Sequence, residues 1–309
     1  MVRGWEQCHR TPRERTLKEG LIFALISGAS FGFLSILCKL GLHEGIGPVD
    51  LLTYRFWLAS IIMFVFLAIK DRSLLRPSVK TITRGLILGF VFYGFQSYLF
   101  FQALTYIPAS TATLIIYFYP MTVTVLSIIF FKMRVTRGIC ASLILLAAGC
   151  ALVFYDAFVK GLSMYGAGLA LASMAGFSVY LVTVQFFLRD EHPLRVTLYA
   201  LLATALFYSA LHNPLGIFTL NTTGLFIVIS LALIPTVLAV SLMYRAIEKI
   251  GSAYTSIFST LEPIVTVLLA ARILGEDVVA LQILGMSLII TGIVVPNVER
   301  LMMQRQRKD

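Results

Sequence analysis

Long apolar runs alternate along the chain with short segments that hold most of the charged residues, prolines and turn formers. Ten such runs fall at 20–40, 50–69, 82–106, 109–131, 135–155, 165–188, 194–211, 222–247, 251–274 and 278–296. Each is near the ~20 residues that a helix needs to cross ~30 Å of hydrocarbon. Within the runs the apolar residues are continuous rather than alternating, which argues against a membrane barrel. The pattern predicts an all-α membrane protein of ten transmembrane helices.

Composition agrees: 59% of the 309 residues are hydrophobic and 13% charged, with a mean hydropathy of +0.90, beyond what a soluble domain tolerates. A net charge of +10 invites a nucleic-acid reading, but the placement of the charge argues otherwise. Of the 25 Lys and Arg residues, all but Lys39, Arg55, Lys160 and Arg272 fall in alternate connections and both tails. Such a bias orients membrane helices. It predicts both termini in the cytoplasm and no nucleic-acid partner. Residues 1–19 lack the apolar core and cleavage site of a secretory signal and read as a cytoplasmic tail, as does the basic segment 297–309.

Slid against itself, the chain reveals two copies of one unit. Ala24, Ser27 and Phe31 match Ala170, Ser173 and Phe177 at one offset; Pro120 and Gly149 match Pro263 and Gly292 at another. The copies span 20–155 and 164–296, five expected helices each. An odd number of spans makes the second copy enter the membrane from the opposite side, giving two inverted five-helix repeats. The connection Lys132, Arg134, Arg137 is basic, while its counterparts Gly275, Asp277 and Ala280 are not.

With these features the chain resembles the drug/metabolite transporter superfamily, and within it the ten-helix EamA-type permeases. The resemblance rests on Arg55 in "LLTYRFWLAS", on "TATLIIYFYP" ending at Pro120, on "TSIFSTLEP" ending at Pro263, on "LGE" ending at Glu276 and on Gly292 in "TGIVV". The first repeat departs from the pattern, with Met133 where many such permeases carry the acid kept here as Glu276. The resemblance implies an inner-membrane carrier, if the source is prokaryotic, whose path runs between the repeats. It also implies export of amino acids, metabolites or drugs, often in exchange for protons.

Glu262 is the leading candidate site residue. A carboxylate at this depth costs roughly 2.5–3.5 kcal/mol, so it needs a partner, a cavity or a proton. Ser259, Thr255 and Ser252 precede it at helical spacing as a polar stripe. Pro263 cannot donate to the Ser259 carbonyl and leaves an acceptor free at the same depth. Tyr117 and Tyr119, ahead of Pro120, and Gln96 are further candidates for a substrate pocket, since a tyrosine offers an apolar face and a hydroxyl. Thr113, Tyr98 and Tyr244 are weaker ones. Arg55 lies one and a half turns inside its span, where it can snorkel outward, bind an anion or pair with an acid; a structural or gating role is expected. Pro120 and Pro263 are expected helix kinks. Gly28 with Gly32, and Ala172 with Gly176, read as helix-packing motifs.

Other chemistry finds little support. Cys8, Cys38, Cys140 and Cys150 form no CxxC, and His9, His43, His192 and His212 lie in loops or tails, so neither disulfide, metal nor cofactor is expected. There is no GxxxxGK[ST] and no HExxH. The best reading is a gradient-driven permease of a small-molecule solute in the lipid bilayer of a cell membrane, exporting an amino acid or metabolite, with a homodimer left open. The alternatives are a carrier of phosphorylated or nucleotide-linked solutes and, from another class, a membrane enzyme.

Overall fold

The structure is a computed structural model that describes residues 12–133, 135–159, 163–275 and 279–305; Arg134, Lys160, Glu276, Asp277 and, of the expected tails, residues 1–11 and 306–309 lie outside the described residues. Among those described, all regular structure is helical. Six helices are long and apolar enough to cross a membrane: 16–43, α3 (Pro48–Lys70), α4 (Val79–Tyr106), α8 (Met164–Phe187), α10 (Thr222–Ile250) and α11 (Ser252–Leu274). Shorter apolar helices, including α6 (Tyr119–Phe131) and α9 (Pro193–Ser209), lie between and after them.

Several expected single helices are interrupted. The first breaks at Gly32 into α1 (Pro12–Phe31) and α2 (Phe33–His43). The helix starts at Pro12, inside the segment expected as a tail, because nothing from Pro12 to Lys18 resists helix. The run 109–131 divides into α5 (Ala109–Ile116) and α6, with Pro120 in the first turn of the second piece, where a missing N–H is tolerated. In α11 a 3₁₀ turn, Ser259–Leu261, comes before the restart at Glu262 and Pro263. Both expected kinks are therefore breaks. The final helix, α12 (Ala280–Arg305), continues past Pro296, beyond the expected end of its span.

Burial is inverted relative to a soluble protein. Phe64, Phe66, Ile144 and Phe226 point outward, whereas Ser27, Ser35, Thr113, Ser173 and Thr236 are buried. In lipid, apolar surface alone does not drive helices together, so small residues and interhelical hydrogen bonds carry the packing. These contacts follow the repeat. Ser27 Oγ donates to the Ala239 carbonyl (2.8 Å) and its match Ser173 to the Gln96 carbonyl (2.9 Å); Gln96 and Ala239 are themselves matched positions. Between α7 (Arg137–Val159) and α12, a Cβ on Gly149 would stand 2.6 Å from the Gly285 carbonyl oxygen, and one on Gly292 3.1 Å from that of Ser142. Ser142 and Gly285 are again matched. Reciprocal contacts of this kind are what a two-fold relation between the copies produces.

The loops expected on the inner side meet one another. Lys80 and Arg84 both engage Asp190, Thr81 donates to Glu191 at 2.7 Å and Lys249 pairs with Glu19 at 2.8 Å. Loops expected outside also meet, through His212 and Asp50 at 2.9 Å and Asn221 donating to Glu44 at 3.2 Å.

Candidate functional site

Two prolines interrupt the helices around one internal cavity, and at each a carbonyl that lacks its α-helical donor takes a hydrogen bond from a hydroxyl. Pro235 lies in a wide π-type stretch of α10, Leu233–Leu238. With no N–H, it leaves the Leu231 carbonyl unclaimed. The Thr236 hydroxyl donates to that carbonyl at 2.6 Å, so its lone pair is turned away and accepts from Arg55 Nε, also at 2.6 Å. In α11, Pro263 cannot donate to the Ser259 carbonyl, which accepts instead from the Glu262 N–H that closes the 3₁₀ turn. Tyr117 Oη, from the other repeat, lies 3.0 Å from that oxygen and 3.0 Å from Glu262 Oε2. One tyrosine proton is shared between the two acceptors. Gly28 makes room for the arrangement, since a Cβ there would stand 2.3 Å from the Ser259 oxygen.

Arg55 does not snorkel. It is 1% exposed, and its side chain turns inward from α3. Its Nη2 donates to Tyr93 Oη at 3.0 Å, and the guanidinium lies 4.7 Å from the Phe56 ring centre and 5.5 Å from that of Phe101. Tyr93 is fixed by stacking on Tyr180 at 5.1 Å. It too sits in a π-type stretch, Ile87–Gly94, which matches the one in α10 by position; such stretches often occur at functional sites. Arg55 Nη1 is buried without a hydrogen-bond partner.

The cavity between these groups measures about 40 Å³. Arg55, Tyr93, Gln96 and Ser97 line it from the first repeat and Glu262 from the second, with Phe31, Phe100, Phe101 and Phe177 among the apolar walls. At 10–15 Å³ per water, this is room for about three waters. Glu262 is half-buried because its carboxylate faces this space.

Of the candidates from sequence, Glu262, Gln96 and Arg55 meet at the cavity. Tyr117 stands behind Glu262 as its donor. Tyr119 donates to the Ser256 carbonyl at 3.3 Å. Ser259 Oγ turns to the Ala24 carbonyl at 3.3 Å and Thr255 Oγ1 to the Gly251 carbonyl one turn back at 2.8 Å. Tyr119 and Ser259 thus join helices and Thr255 bonds within its own, and the expected polar stripe does not continue to Glu262, because the 3₁₀ turn changes the phase of the helix between them. Thr113 meets Ser35 at 2.8 Å and Tyr244 meets Tyr180 at 2.6 Å, both away from the cavity. Sequence reasoning missed Tyr93 and Thr236. Thr236 carried a signal, the mid-span "PT" of Pro235 and Thr236; Tyr93 carried none among so many aromatic residues.

A bundle of two matched halves enclosing a charged cavity has the form of a membrane carrier, and the comparisons agree. The model of the EamA-like transporter family matches residues 18–155 and again 164–298, and the chain belongs to that family. It is 27% identical over 290 residues to an uncharacterized transporter of Bacillus subtilis, covering 88% of this chain and 90% of the relative. It is 25% identical over 292 residues to a probable amino-acid metabolite efflux pump of Salmonella typhimurium, covering 89% and 93%. A solved crystal structure superposes with a TM-score of 0.73 at 18% identity, over 92% of this chain and 99% of the other, which fixes the likeness of fold. The protein is a multi-pass membrane transporter by family.

Proposed function

We propose that the protein is a secondary permease of the cell membrane that exports an amino acid or related metabolite by alternating access. In this reading ten helices form two inverted repeats with both termini inside. The observation that carries it is the cavity between the repeats, where Glu262 of one is held by Tyr117 of the other. At about 40 Å³ it is too small for an amino acid, so admitting one requires the repeats to move apart on one side. The relative from Salmonella typhimurium named as an amino-acid metabolite efflux pump favours this class of solute.

Glu262 is the coupling site. While it is ionised, Tyr117 divides its proton between the carboxylate and the Ser259 carbonyl. When Glu262 takes up a proton, its own O–H can donate to Tyr117, whose proton then passes wholly to Ser259. Protonation thus changes what holds the break in α11 against α5, the helix of the other repeat that ends beside Tyr117. Proton exchange for substrate follows if substrate and proton compete for the carboxylate.

The test is counterflow of labelled amino acids in proteoliposomes between pH 5.5 and 8. Wild type should exchange with a pH-dependent rate, and Glu262→Gln should exchange without pH dependence. An unchanged pH profile in Glu262→Gln removes the coupling role. Carriage of a phosphorylated solute is the weaker reading, because Arg55 is the one cation lining the cavity among the described residues.

A further inference from the structure

Arg55 brings a full positive charge into the bundle, yet among the described residues no carboxylate pairs with it. Its Nε is taken by Thr236 and one Nη2 hydrogen by Tyr93; Nη1 keeps both of its N–H groups unclaimed. A buried charged donor without a partner is costly, and its retention points to a ligand that completes it. The nearby charges leave it so: Asp50, on the same helix, pairs with His212, Lys39 borders a separate outer pocket, and Glu262 faces the same cavity without an ion pair to Arg55.

We infer that Arg55 is the docking group for the carboxylate of an α-amino-acid zwitterion whose ammonium is taken by Glu262. A guanidinium anchored through Nε and Nη2 presents a planar donor edge of fixed orientation, the shape that binds a carboxylate. Thr236 and Tyr93 act as positioning residues, because each accepts from Arg55 and stops it from rotating. The opposite carboxylate supplies a counter-charge for an ammonium. Both charges are needed for a neutral complex in a low-dielectric site, and a zwitterion meets both at once, whereas a simple amine or acid leaves one unpaired. Phe31, Phe100 and Phe177 then face the remainder of the ligand, which favours an apolar side chain. In the inverted-repeat frame neither charge has a charged counterpart: Tyr119 matches Glu262, and Ala200 holds the place of Arg55 counted from the paired helix starts Pro48 and Pro193. The cavity is therefore polarised, with its anion-binding and cation-binding sides on different repeats.

This inference rests on the carrier reading above. Proteoliposomes are loaded with unlabelled amino acids or, separately, with unlabelled glucose 6-phosphate, and exchange is followed with the matching tracer, a labelled mixture of proteinogenic amino acids or labelled glucose 6-phosphate. For each amino acid that exchanges, competition is measured with the free compound, its methyl ester, which lacks the carboxylate, and its N-acetyl form, which lacks the ammonium. In wild type each blocked form should compete about 10- to 100-fold more weakly than the free compound, the loss of one charge-assisted contact. Arg55→Gln should erase the preference for acid over ester while keeping that against the N-acetyl form; Glu262→Gln should do the reverse. Arg55→Lys should keep part of the acid preference, and it serves with the wild-type series if Arg55→Gln fails to fold. Equal competition by ester and free acid in wild type overturns the inference, as does an Arg55→Gln protein with the wild-type preference. Exchange of glucose 6-phosphate alone overturns it while leaving a carrier; exchange of neither tracer by folded protein overturns it together with the proposed substrate class.

Discussion

Tyr117→Phe tests the central joint between the repeats. The substitution deletes one hydroxyl and keeps the ring, which packs edge-on against Tyr119 with centroids 5.6 Å apart, so the change reads a hydrogen bond rather than a cavity. That hydroxyl has one proton and two acceptors at 3.0 Å, the Ser259 carbonyl and the Glu262 carboxylate. The loss therefore counts as about one strong bond. Interhelical hydrogen bonds in membranes average about 0.6 kcal/mol with a maximum near 1.7, and bonds to charged groups reach about 1.5–3 kcal/mol; Tyr117→Phe should cost about 1–2 kcal/mol. The assay is reversible unfolding in bicelles, run as a double-mutant cycle with Glu262→Leu, in which the coupling should be about 0.5–1.5 kcal/mol. A second cycle uses Pro263→Ala, which offers the Ser259 carbonyl its α-helical N–H beside that of Glu262 and should reduce the cost of losing the Tyr117 hydroxyl. If Tyr117→Phe costs under about 0.3 kcal/mol and both cycles are additive within the usual error of that size, the shared proton does not hold the break in place and the argument fails.

Ala in place of Gly149 should destabilise more than Ala in place of Gly292, by about 1–3 kcal/mol against less than 1, because the added carbon meets a backbone oxygen at 2.6 Å in one case and 3.1 Å in the other; unfolding midpoints of the two variants check the order. The Asp190 carboxyl is held down to about 2, first by the hydrogen bond from Arg84 and then by that from Lys80. Since the folded value lies below the ordinary carboxyl value of 3.8, the stabilisation from these pairs is complete above about pH 4 and fades as pH falls toward 2; a carboxyl titration by NMR should find this midpoint, and Arg84→Ala should raise it. For topology, single cysteines at Ser78 and Asp190 should be labelled by an impermeant reagent only from the cytoplasmic side, and cysteines at Glu44 and Asn213 only from the outside. Labelling of Ser78 and Glu44 positions from one side would remove the proposed orientation.

Length and hydropathy alone placed this chain in a membrane, because continuous apolar runs of this size leave a backbone no other way to satisfy its hydrogen bonds. The sequence also carried the repeat. Ser27 and Ser173, or Gly149 and Gly292, are matched in the chain because they make reciprocal contacts in the fold. Glu262 and Pro263 were legible too, since an acid and a proline in an apolar run are conspicuous whatever surrounds them.

What only the tertiary structure decided is which polar groups face the cavity. Helical spacing put Ser259 and Thr255 on the face of Glu262, but the 3₁₀ turn at Ser259–Leu261 breaks the phase on which that inference depends. Arg55 near a span end could turn either way. Its inward course was settled by Thr236, 181 positions away in the chain, itself aimed by the carbonyl that Pro235 leaves free. Sequence reports the residues and their local periodicity; the partners that decide the direction of a charged side chain come from helices that meet only when both repeats have packed.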